Sequence, residues 1–185
     1  MTTATVLKPL TVDDYLAAER DAGIRHEYLN GELVAMAGGS RAHNLLTARI
    51  GRLLGNHLEG TPCRVYQADM KVRIDTTNRF YYPDVMVCCN PVAEEPDEYY
   101  ETSPCLIVEV LSPGTAANDD GEKRINYQTL VSLQEYLLLD PIGHTAVVLY
   151  RRTGDDWMHY ALGIGDTLEL ASIGYRIGLE RLFLA

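Results

Sequence analysis

The run Leu106-Ile107-Val108-Glu109-Val110-Leu111 constrains the fold more than any other stretch of this chain. Apart from its glutamate it is uniformly apolar, the pattern of a strand covered on both faces. A second apolar run, at 81–89, has the same character. Two such strands need a central sheet with helices or further strands packed on each side. Glu109 breaks the pattern. An ionised carboxylate in that setting costs on the order of several kcal/mol unless it is paired or bound to a metal. No lysine or arginine lies within ten positions on either side, so a local counter-charge is missing. A structural ion pair to a distant element, or a place at a sheet edge, is the plain alternative to a functional carboxylate.

The rest of the chain supplies the covering elements. Thr11 and Asp14 have capping-box character ahead of a short helix with Val12, Tyr15, Leu16 and Glu19 at helical spacing. Residues 25–29 and 32–37 flank Asn30-Gly31, a pair suited to a two-residue hairpin turn. A helix is expected over 41–58, with Leu46, Ile50, Leu53 and Leu54 on one side and Arg41, Arg49 and Arg52 on the other. Residues 64–74 alternate as one half-buried strand, and 119–130 read as a helix. Stretches 134–140, 145–152 and 157–162 read as strands added antiparallel. The expected fold is α/β (α+β), a mixed central sheet flanked by helices with an N-terminal β-hairpin, as a single domain over 1–185. No glycine-rich phosphate loop precedes a helix.

A chain of 185 residues can bury about 70% of its unfolded surface, enough for a full core. With 46% hydrophobic and 23% charged residues, it is neither disordered nor fibrous. No apolar run approaches the ~18 residues of a membrane span, and the first ten residues lack the layout of a signal peptide. Four cysteines without a C-x-x-C pair predict a reduced, cytoplasmic protein free of thiolate metal sites. The net charge of −10 is the awkward feature, because nucleic-acid binders are usually basic. Its distribution softens the objection. Residues 94–101 hold five acids and no base, whereas 41–79 hold seven arginines or lysines against three acids. DNA is therefore not excluded, but weak and salt-sensitive binding is expected without metal.

Three more residues stand out. Asp84 follows Pro83 at the head of an apolar run, where its side chain can sit at the rim of a sheet; Pro-Asp is also a common turn. Glu27 opposes Val34 in the expected hairpin and shares a face with Leu29 and Met36, although Arg25 could neutralise it. Lys123 shares a helix face with Asn126 and Tyr127, although a lysine beside Asp120 and Glu122 is more often solvated. Carboxylates on neighbouring strands suit hard cations such as Mg²⁺ or Mn²⁺. A metal so held activates water and stabilises phosphoryl transfer, and a lysine nearby can offset the developing charge.

At these residues the sequence resembles a known family. Pro83-Asp84-Val85, Leu106 to Pro113 around Glu109, Lys123-x-x-x-Tyr127 and Glu135 to Pro141 resemble the Uma-two family, as do His26 to Glu32 followed by His43. That family is restriction-endonuclease-like and belongs to the PD-(D/E)XK nuclease superfamily. The resemblance covers roughly residues 11–152. It implies that Asp84, Glu109 and the backbone carbonyl of Val110 bind a Mg²⁺ or Mn²⁺ ion, and that Glu27 adds or orients a ligand. The superfamily lysine normally stands two residues after the second acid. Here that position is Leu111, and Lys123 takes the role from another element. His43 is expected either behind the metal ligands or as a satisfied core histidine, and Gln67 is a candidate substrate contact.

The function expected from these residues is a metal-dependent DNA endonuclease that hydrolyses phosphodiesters with metal-activated water. A homodimer is expected only by analogy with nucleases that cut both strands. The Leu111 departure and the acidic pI leave a second reading open, a catalytically inactive nuclease fold kept for nucleic-acid binding or oligomerisation. A third reading, Glu27 and Glu109 as an acid–base pair acting on a sugar, lacks the exposed aromatic rows of a sugar groove.

Overall fold

The computed structural model describes residues 9–89, 97–142 and 147–183. Helix α1 (Val12–Arg20) is capped by Thr11, whose side chain accepts from the Asp14 N–H. Strands β1 (His26–Leu29) and β2 (Glu32–Ala35) form the expected hairpin, with Asn30 and Gly31 both at positive φ. Helix α2 (Arg41–Leu58) spans the expected range, capped by Ser40.

The two long strands expected over 64–74 and 81–89 are each broken in two, which corrects the sequence reading. Strands β3 (Arg64–Gln67) and β4 (Lys71–Ile74) lie in different sheets, as do β5 (Arg79–Tyr81) and β6 (Val85–Cys88). The first break turns at Ala68, which sits at φ 52°. The second falls at Pro83, which has no N–H to give a ladder. The breaks lie side by side, for the Ala68 N–H donates to the Asp84 carbonyl at 3.2 Å. Alternation continues through 64–74 because the turn costs only one unusual φ, which side-chain pattern does not report.

Strand β7 (Tyr100–Glu101) completes a five-stranded sheet ordered β2-β1-β5-β4-β7. The larger sheet is ordered β11-β10-β9-β8-β6-β3, with β8 (Leu106–Val110), β9 (Glu135–Leu139), β10 (Val147–Thr153) and β11 (Asp156–Leu162). Strand β9 runs parallel to β8, not antiparallel as the sequence suggested. The crossover between them is the helical segment of α3 (Ala116–Asn118), a π-helical turn (Asp119–Lys123) and α4 (Arg124–Tyr127), long enough to return the chain in the same direction. Strands β10 and β11 do add antiparallel. A hairpin of β12 (Thr167–Leu170) and β13 (Tyr175–Gly178), then α5 (Leu179–Phe183), lies where the sequence suggested no element.

The large sheet buries both faces. Val85, Val87, Leu106, Val108, Leu137 and Leu139 face α2, α5 and the last hairpin. Met86, Ile107, Tyr136 and Leu138 face the smaller sheet and the helical crossover. By alternation Glu109 belongs with Ile107, on the side of the crossover. The reduced set of cysteines also needs correction, because Cys63 and Cys89 are joined by a disulfide across β3 and β6. The acids at 94 and 95, the turn at Gly143 and the expected strand start at Thr145 lie outside the described residues. Among the described residues no helix is long and apolar enough to cross a membrane.

Candidate active site

Five parts of the fold, β1, α2, the head of β6, β8 and the helical crossover, bring the expected residues together. Asp84 stands in the break before β6, and Glu109 sits near the end of the adjacent antiparallel strand β8. The Asp84 N–H donates to Glu109 Oε2 at 3.2 Å, and the Val110 N–H donates to Asp84 Oδ2 at 2.8 Å. Tyr127 OH donates to Glu109 Oε1 at 3.0 Å. Both carboxylates are thus held by backbone and phenol donors before any cation is considered.

Lys123 enters from the π-helical turn. Such a turn inserts one extra residue and re-aims the side chains beyond it. The Lys123 ammonium is buried, 2.8 Å from Glu27 Oε1 and 3.5 Å from both Glu109 Oε1 and Asp119 Oδ1. The acids beside it in sequence are engaged elsewhere. Asp120 pairs with Arg124 and Glu122 with Arg79. Arg25 turns to Asp69, leaving Glu27 to Lys123. Glu27 is buried by the helical crossover, because Val34 and Met36 across the hairpin face solvent.

On the other side, His43 of α2 places Nε2 3.1 Å from Asp84 Oδ2. That hydrogen bond raises the imidazole above its ordinary value, with burial opposing. Burial pushes Glu109 up to about 8, with Lys123 opposing and Asp84, Asp119 and Glu27 reinforcing the rise. Burial alone would lower Lys123, but Glu109, Glu27 and Asp119 hold it above an ordinary lysine. Asp119 is raised by its own burial against the pull of Lys123. Glu27, His43, Asp84, Glu109, Asp119 and Lys123 all line one cavity of about 310 Å³, together with Val110 and the loop from Met36 to Gly39.

Asp119 is a site residue that the sequence reading does not single out. Its position suggests a cap, yet it lies four residues before Lys123 and is buried with it; that i, i+4 spacing was the available signal. Tyr127 lies beneath Glu109. Gln67 does not join the group. Its side chain lies along α2 at Gly51, where a Cβ would meet Gln67 Nε2 at 1.8 Å. Leu111 is half-buried against the crossover-side core, and the Lys123 ammonium reaches the Glu109 carboxylate from the crossover at 3.5 Å.

The donor set can be tested against a divalent ion. Among the described residues no three or more His, Cys, Asp or Glu side chains converge into a ready cation cage. Mg²⁺ does not require one, since it commonly takes one or two carboxylates and keeps several waters. Asp84 and Glu109 are hard oxygen donors that line, with Val110, a cavity where four carboxylates meet one lysine and one histidine. The raised value of Glu109 reflects its burial together with that excess of negative charge. The residues present fit a hard cation.

The chain as a whole is similar to known proteins. Residues 12–178 match the family model Uma2, described as "Putative restriction endonuclease". Two uncharacterized proteins of Synechocystis sp. are similar: one is 37% identical over 94% of this chain and 91% of that protein, the other 35% identical over 92% and 96%. A crystal structure described as a putative nuclease belonging to DUF820, from Anabaena variabilis, superposes with a TM-score of 0.78. It is 15% identical and covers 95% of this chain and 98% of its own, which shows a shared fold. On the family match and the two relatives, the chain belongs to the Uma2 family.

Proposed function

We propose that this protein is a Mg²⁺- or Mn²⁺-dependent DNA endonuclease that hydrolyses phosphodiester bonds in the cavity between α2, β6, β8 and the helical crossover. The observation that carries the reading is the reciprocal pair of hydrogen bonds between the Asp84 and Glu109–Val110 segments. It aims two carboxylates at one cavity with Lys123 beside them. Asp84, Glu109 and the Val110 carbonyl would hold the ion. A bound divalent ion would supply a water activated at neutral pH and countercharge for the phosphate.

The chain's own residues do the rest. Lys123, kept protonated by its three carboxylates, presents a fixed positive charge where negative charge grows on the phosphate oxygens. Glu27 and Asp119 hold that ammonium in place. His43 fixes the Asp84 carboxylate, and Tyr127 does the same for Glu109. The buried walls limit water around these groups, which strengthens every charge interaction in the cavity.

The experiment is cleavage of supercoiled, linear and single-stranded DNA with Mn²⁺ or Mg²⁺, comparing wild type with Asp84→Asn and Glu109→Gln. Cleavage that depends on metal and is lost in both variants is the expected result. Cleavage that survives both substitutions rejects this site, and no cleavage by wild type with either ion favours an inactive binding module.

A further inference from the structure

The sulfur cluster at the opposite end of β6 and β8 has a chemistry independent of the cavity. Cys63 precedes β3, Cys89 lies just past β6 and Cys105 precedes β8. In the order β8-β6-β3 the three meet at one end of neighbouring strands. Cys63 and Cys89 are disulfide-bonded. The Cys105 Sγ lies 3.6 Å from the Cys89 Sγ and also donates to the Val87 carbonyl at 3.3 Å. A third sulfur in van der Waals contact with a disulfide supplies the proximity that thiol–disulfide exchange requires, while burial pushes the Cys105 thiol up and so slows its attack.

We propose that Cys89 is a thiol–disulfide exchange site that changes partners between Cys63 and Cys105. The Cys105 thiol loses its proton and the thiolate attacks the Cys89 sulfur. The Cys89–Cys105 bond forms as the Cys63–Cys89 bond breaks, and Cys63 leaves as a thiolate that takes up a proton. One disulfide is exchanged for another, so the step consumes no oxidant or reductant.

The partner decides which strands are tied. Cys63–Cys89 ties β6 to β3, the edge strand of the large sheet. Cys89–Cys105 instead ties β6 to β8, the two strands that carry Asp84 and Glu109 at their other ends. Those strands share only three register pairs, Val85 with Val108, Met86 with Ile107 and Val87 with Leu106. A covalent tie beside the last of them removes fraying at that end and releases the edge strand. Exchange therefore moves a cross-link between the edge of the sheet and its centre without altering composition.

The test needs neither DNA nor metal. Wild type and Cys63→Ser are equilibrated in a glutathione redox buffer, blocked with N-ethylmaleimide, then digested with trypsin and a glutamate-specific protease. The second protease is needed because Cys88, Cys89 and Cys105 share one tryptic peptide, cut between Cys89 and Cys105 at Glu94, Glu98 and Glu101. Fragment-ion mass spectrometry separates Cys88 from Cys89. In wild type the label is expected to divide between Cys63 and Cys105, with both linked peptides present. In Cys63→Ser the Cys89–Cys105 peptide should become the dominant disulfide. Label at Cys105 with none at Cys63 in wild type overturns the proposal, as does a Cys63→Ser protein in which Cys89 and Cys105 carry only glutathione or label. Should Cys63→Ser fail to fold, the wild-type label distribution decides alone.

Discussion

Asp84 and Glu109 orient one another through the backbone: the Asp84 N–H donates to Glu109 Oε2 at 3.2 Å, and the amide after Glu109 donates back to Asp84 Oδ2 at 2.8 Å. Because these donors belong to β8 and to the residue that leads into its antiparallel neighbour β6, they position the carboxylates without a metal. Isosteric amides should therefore leave the fold intact while removing the charge a cation needs. Asp84→Asn and Glu109→Gln are each expected to lower Mn²⁺-dependent cleavage by at least about 100-fold, the upper range for loss of metal-site support. At pH 5, where the folded chain keeps Glu109 protonated, metal-free melting temperatures should stay within about 4 °C of wild type, a shift of roughly 1 kcal/mol in a chain of this size. Activity assays and thermal melts on the same preparations check both halves.

A second expectation concerns pH in the absence of metal. Burial pushes Glu109 up to about 8 from an ordinary value of 4.5. Between those values the folded chain keeps a proton that the unfolded chain releases. Stability must then fall as pH rises across the window. The urea midpoint of wild type, measured against Glu109→Gln at pH 5, 6.5 and 8 in chelator, should decline relative to the variant. A midpoint difference that stays flat, or grows in favour of wild type, contradicts the assignment.

How much of the fold and the site is legible in the sequence divides along physical lines. Residues whose oddity is local can be read directly. Glu109 stands out against its own strand, and Asn30-Gly31 fixes the hairpin register that pairs Glu27 with Val34. Long-range choices cannot be read. Arg25 and Lys123 are both available to Glu27, and only the path of the crossover decides for Lys123. Asp119 resembles a cap because its burial depends on β9 and Tyr136, whose OH donates to the Asp119 carbonyl at 2.8 Å. The break at Ala68 is silent because alternation persists through it. The Cys63–Cys89 contact joins residues 26 apart in sequence and is set by strand order, which no spacing in the chain reveals.

Lys123 carries the countercharge for three buried acids, and its removal tests that role. Truncating one partner of a buried ion pair is strongly destabilising, because the charge left behind has no compensation. Lys123→Met leaves Glu27, Glu109 and Asp119 facing one another across the space its ammonium filled. The expected cost is about 3–5 kcal/mol at pH 8, the range for a broken buried pair. Protonation of the acids should shrink it by pH 5. Adding Glu27→Gln should recover part of the loss. Urea denaturation of the single and double variants at both pH values measures this coupling.

Gly39 offers a way to disturb His43 without touching it. A Cβ built at Gly39 lies 2.8 Å from His43 Nδ1, whereas one built at Gly38 meets nothing within 4 Å. Gly39→Ala must therefore displace the imidazole, a flexible side chain, and with it the 3.1 Å contact to Asp84 Oδ2. Both glycines are exposed in the loop before α2, so stability should change by no more than about 0.5 kcal/mol, the usual range for surface positions. Cleavage and Mn²⁺ affinity should fall by roughly 10–100-fold, the loss typical when a group orienting a metal ligand is removed. Gly38→Ala should behave as wild type. His43→Ala should match Gly39→Ala, and combining the two should cost no more than either alone, since both act on one contact. If Gly38→Ala and Gly39→Ala lose activity equally, the loop and not the histidine is responsible, and His43 has no part in holding Asp84 for the reaction.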